Sequence, residues 1–204
     1  MIKHPAAILA FAPLLFLLAP SAVLAQGETH AAHVHGAATL NVTVEAASVD
    51  IDLDAPLASF ISFEHAPSTP EQTAEMKGLV EKLNAPAALF AFPAAWGCSS
   101  SKVAVEAENI PEDVLGHPHA PEGEGHGHDH GEADGDHEHA EGEAHSDLEA
   151  EFEFACTAIS GDGSLDASGL FKAFPNLQDV DVQLVSPKGQ KGAELNPAAA
   201  SLTW

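Results

Sequence analysis

Residues 117–145 contain 8 His, 9 Asp or Glu, 6 Gly, 4 Ala and 2 Pro, which fill all 29 positions. None of these side chains builds a hydrophobic core, so the tract is expected to be a low-complexity, disordered insert. The fold must then come from its two flanks, and it must tolerate a long interruption. Both flanks carry period-two patterning, the mark of strands with one apolar and one wet face.

In the first flank, Leu40, Val42 and Val44 alternate with Thr39, Asn41 and Thr43. After a short polar break, Val49, Ile51 and Leu53 alternate with Asp50, Asp52 and Asp54. The pair reads as a hairpin. Thr69, Pro70 and Gln72 have the spacing of a helix start, with Thr69 as cap and Gln72 three residues on. Met76, Leu79, Val80 and Leu83 then recur at amphipathic helical spacing. Pro86 follows its end, Ala87–Phe92 suggests a further helical turn, and Val103, Val105 and Ala107 resume strand alternation.

In the second flank, Leu148, Ala150, Phe152, Phe154, Cys156 and Ala158 mark a long strand. A helical turn near Leu170–Phe174, a strand through Val180, Val182 and Leu184, and a last one at Leu202 and Trp204 complete the pattern. Asp162-Gly163-Ser164-Leu165-Asp166 lacks the Gly and Glu of a calcium loop and reads as a turn. The expected fold is α+β: an antiparallel sheet domain with one main helix, spanning 38–204 and interrupted by a His-rich insert at 111–146. The insert would hang between two sheet strands.

The first 25 residues carry Lys3, an apolar run from Ala6 to Ala19, and Val23-Leu24-Ala25. This is the pattern of a cleaved secretory signal, with a run too short for a span. It leaves no membrane span in the mature form and an N-terminal segment, 26–37, that contains His30, His33 and His35. Export places the two cysteines, Cys98 and Cys156, in an oxidising compartment, where they are expected to pair. Closing that loop stabilises a fold by roughly 4 kcal/mol in the chain-entropy picture.

With 31 Asp and Glu, 7 Lys and no Arg, the chain carries a formal charge of -24. That excludes nucleic acid and anionic membrane surfaces as partners. The 13 His point to metal. Neutral imidazole suits zinc, copper and nickel, and zinc takes about four N, O or S donors. Candidate ligands are His117, His119, His126, His128, His130, His137 and His139 in the insert. His145 and Asp147 stand where the insert rejoins the sheet. His30, His33, His35 and His65 complete the set, with His65 expected to pair locally with Glu64. In an extended segment His33 and His35 point to the same side. Neighbouring carboxylates raise His basicity, so insert loading is expected to fail as pH falls through about 6–7. The only Met residues, Met1 and Met76, form no cluster, which argues against Cu(I) but leaves nickel and Cu(II) beside zinc. The chain has no G-x-S-x-G and no H-E-x-x-H, so no enzyme is expected; a zinc-dependent hydrolase is the weaker alternative.

One set of motifs runs in order through nearly the whole mature chain. It comprises His33-Val34-His35-Gly36, Phe63-Glu64-His65, His145-Ser146-Asp147 and Phe152-Glu153-Phe154-Ala155-Cys156. Phe171-Lys172-Ala173-Phe174-Pro175, Val182-Gln183-Leu184 and Gly189-Gln190 follow. Together with the insert, they resemble the ZrgA-like zinc-regulated periplasmic proteins of Gram-negative bacteria. The resemblance implies periplasmic zinc binding in the service of uptake, with zinc ions as ligand. It implies a zinc ABC importer or its binding protein as partner. It also strengthens His33, His35, His65, His145 and Asp147 as ligands. Members often carry Tyr where this chain has Phe152.

Overall fold

The computed structural model describes residues 34–116 and 146–204. The expected signal (1–25), most of the N-terminal segment and the expected disorder of 117–145 lie outside the described residues. Eight strands and three α-helices are present among those described: β1 (Ala37–Val44), β2 (Ser48–Pro56), α1 (Pro70–Leu83), α2 (Pro86–Leu89), β3 (Ser99–Ala107), β4 (Asp147–Ala155), β5 (Ser164–Asp166), α3 (Ser168–Ala173), β6 (Asp179–Ser186), β7 (Gly189–Leu195) and β8 (Ser201–Thr203). Single 3-10 turns lie at Leu57–Ser59 and Ala94–Trp96.

The alternating apolar residues do what their period demands. Leu40 lies opposite Leu53, Val42 opposite Ile51, and Ile51 opposite Phe152. All of these are buried, on one face of a six-stranded sheet ordered β3-β4-β2-β1-β6-β7. Met76, Leu79 and Leu83 of α1, Leu89 of α2, and Leu170 and Phe171 of α3 join the same core. At the start of α1, Thr69 accepts a hydrogen bond from the Gln72 amide at 3.2 Å, which satisfies one of the orphan donors of the first turn.

Two expectations need correction, and one strand is added. The sheet is mixed rather than antiparallel, because β1 and β6 run parallel. Alternation reports which face a residue takes, not which strand lies beside it. The chain from β4 to β6 passes through β5 and α3 and returns alongside β1, the kind of crossover that parallel pairing needs. The strand at Leu202 pairs with β5 in a separate two-stranded sheet, and the supposed turn at Ser164–Asp166 is that partner. The edge strand β7 escaped the sequence reading because its segment Gly-Gln-Lys-Gly-Ala-Glu-Leu lacks alternation.

The insert does connect two neighbouring strands, since β3 pairs antiparallel with β4. Cys98 and Cys156 form a disulfide just beyond the Ser99–Ala155 pair, at the end of the sheet opposite the insert.

Candidate functional site

Strand directions bring the chemistry to one end of the sheet. There β1 begins, β2 ends, β3 ends and β4 begins, as Thr39↔Asp54, Pro56↔Asp147 and Ala107↔Leu148 show. His35 precedes β1 and Asp147 opens β4. Both ends of the insert, after Gly116 and before Ser146, belong to connections at this end. The backbone joins them tightly: Leu57 N donates to the Ser146 carbonyl at 2.8 Å, and Glu108 N to that of Asp147 at 2.9 Å.

The turn Leu57–Ser59 is the hub. Ser59, fully buried, accepts from Gly36 N and donates to the Ala37 carbonyl, both at 3.0 Å. Gly36 itself has φ of +84° and lies so close to the Asn176 carbonyl that a Cβ would stand 3.0 Å from it. The backbone beside His35 is therefore fixed from two sides.

A cavity of about 680 Å³ opens here, lined by His35, Ala58, Ile61, Ser62, Phe63, Glu64 and His65. His35 Nε2 lies 3.1 Å from Glu64 Oε1, an ion-pair distance; the Glu64 side chain is only 14% exposed against 59% for His35. Glu64, expected beside His65, thus also reaches a partner 29 positions away in the chain. The His65 ring instead tilts over Phe63, with centroids 5.4 Å apart, and its Nδ1 donates to the Ala66 carbonyl at 2.8 Å. Helix α1 anchors the loop: Glu75 accepts from Ser62 N at 2.9 Å and from Ser62 Oγ at 2.7 Å.

Of the sequence candidates, the structure brings His35 and His65 to one cavity and places Asp147 at the same sheet end, outside the cavity lining. His30, His33, His117, His119, His126, His128, His130, His137, His139 and His145 lie outside the described residues. Among the described residues, no three His, Cys, Asp or Glu side chains converge closely enough to hold a metal ion. The cavity lining thus carries two imidazoles and a carboxylate that do not form a metal-holding group among themselves. Glu64 was missed as a site residue; its only sequence signal is a carboxylate directly before His65. Ser59 and Glu75 carry no such signal, and Gln72 reads only as a capping residue.

The family model described as "ZrgA family zinc uptake protein" matches residues 32–204. The chain belongs to this family. The match takes in every described residue of the ZrgA-type fold, from the His35 segment to the last strand. Membership ties the chain to zinc. No curated protein matches the chain. Among the described residues, no helix is long and apolar enough to cross a membrane.

Proposed function

We propose that this ZrgA family member is a periplasmic zinc-binding protein that captures and buffers zinc and hands it to a zinc ABC importer or its binding protein. The observation that carries the reading is the gathering of His35, Glu64 and His65 at the sheet end where β3 ends and β4 begins, the two strands that flank the 117–145 tract. In this proposal the cavity holds zinc through His35 and His65. His33, two residues upstream of His35, and His145 and Asp147, where the insert rejoins the sheet, supply further donors. The insert's seven other His and the N-terminal His30 form a capacious, weaker pool, concentrated by the neighbouring carboxylates.

Zinc titration of the protein and two variants tests this. Removal of residues 117–139 should abolish most of the stoichiometry and leave the fold intact. His35→Ala with His65→Ala should remove the tightest class of sites and spare the bulk capacity. Unchanged binding in both variants would refute the proposal. Nickel or Cu(II) is the second reading, because a His and carboxylate donor set suits them as well. Competition among the three ions, with the tightest site won by nickel or copper over zinc, would favour it.

A further inference from the structure

Gln72 occupies an unusual place for a capping residue. In a reciprocal capping box, its side chain would reach the backbone amide of Thr69. Here Gln72 Oε1 accepts instead from Ser68 N at 2.8 Å and from Ser68 Oγ at 2.9 Å. Those two donors fix which end of the carboxamide is oxygen. The amide nitrogen therefore faces the other way, and it lies 3.5 Å from His65 Nε2.

The other imidazole nitrogen settles the tautomer. A carbonyl oxygen only accepts, so His65 Nδ1, 2.8 Å from the Ala66 carbonyl, must carry a proton. An amide donor facing Nε2 requires that Nε2 present its lone pair. His65 is thus held in the form metal-binding imidazoles use: one nitrogen donating to a backbone carbonyl, the other free of its proton. The group that meets that lone pair is Gln72.

We propose that Gln72 is a positioning residue that keeps the ligating Nε2 of His65 occupied until a divalent cation displaces its amide. The inference rests on the reading of His65 as a zinc ligand and adds the nitrogen used, the group exchanged, and the helix start as the element that feels the exchange. Cation entry removes the weak, long amide contact. The Ala66 bond remains, so the ring stays in place; the carboxamide is rigid, so it swings away as a unit and water takes over its exposed bonds to Ser68 at the start of α1.

The test uses the full chain with 15N-labelled histidine and free zinc set by a chelator, followed through the two ring nitrogens of His65. Without zinc, Nδ1 should show the protonated signature and Nε2 the lone-pair signature; zinc should move Nε2. Gln72→Ala should lower the free zinc at the midpoint about threefold, as loss of one weak competing hydrogen bond predicts. Gln72→Glu keeps an acceptor for Ser68 and replaces the amide donor with an anionic acceptor, so it should lower the midpoint about tenfold. A purely structural role predicts the opposite, weaker binding tracking a lower melting temperature. Midpoints unchanged or raised in both folded variants would overturn the proposal. So would zinc moving Nδ1 rather than Nε2, with His65 still a ligand. If zinc moves other histidines and neither nitrogen of His65, the His65 assignment itself falls, and the proposal with it.

Discussion

At Gly36, two independent demands meet on one residue. Its φ of +84° lies in the left-handed region, and the Asn176 carbonyl leaves no comfortable space for a Cβ. Its carbonyl also accepts from Gln178 N at 2.7 Å and Asp179 N at 3.1 Å, tying the His35 segment to the start of β6. Gly36→Ala should therefore cost about 1–3 kcal/mol of unfolding free energy, read by urea denaturation. It should also loosen the His35–Glu64 contact and, on the proposed function, weaken zinc binding at the cavity. Thr69 and its amide partner were legible in the sequence because a cap is local, four residues deep. The His35–Glu64 pairing was not, because it joins segments that only the Leu57–Ser59 turn brings together.

At the element scale, the wet face of the sheet is a carboxylate ladder. Asp50 lies opposite Glu153, Asp52 opposite Glu151, and Asp54 opposite Glu149. Glu106 extends the last row, and Lys102 bridges Glu151 at 3.0 Å. Like charges directly opposite one another destabilise a sheet. Desolvation, then Glu151 and Asp50, pushes the Asp52 carboxyl above its usual range. Desolvation, then Asp54, Glu106, Glu151 and Asp52, does the same to Glu149. A carboxyl raised in the folded state binds protons there before the unfolded chain does. The contribution of these two carboxyls to stability should then rise as pH falls from neutral toward the ordinary carboxylate range. Asp52→Asn should raise the melting temperature at pH 7, and the gain should shrink as the pH approaches 4. A gain that grows on acidification would contradict this. The strands themselves were readable from alternation, as β1, β2, β4 and β6 show. Their order was not, since a lone strand pattern holds no information about its neighbour, and β7 has almost no pattern to read.

At the scale of the whole molecule, the Cys98–Cys156 bridge and the insert sit at opposite ends of the β3–β4 pair. The bridge closes a separation of 58 residues, and the expected pairing of the two cysteines is what the structure contains. Cys98→Ser with Cys156→Ser should lower unfolding stability by about 2–5 kcal/mol, measured by denaturant titration under non-reducing conditions. Removal of residues 117–145, rejoined by a short Gly-Ser linker, should change the melting temperature little. The strands that flank the tract pair with each other through Ala107↔Leu148, and the core residues nearest to it, Leu115 and Leu148, are retained.

That pairing has an evolutionary consequence. Two adjacent antiparallel strands, β3 and β4, flank the segment that carries the insert and pair with each other from Ala107↔Leu148 onward. Doubling the length of a flexible connection costs only about 0.6 kcal/mol in closure entropy. Histidine-bearing repeats can thus be gained or lost by simple duplication and deletion, with scarcely any penalty to the scaffold. On the proposed function, lineages facing scarcer or more abundant metal retune storage capacity gene by gene while the cavity near His35 is held constant. Length polymorphism in this tract, set against invariance of the β3–β4 register, is the mark such a history would leave.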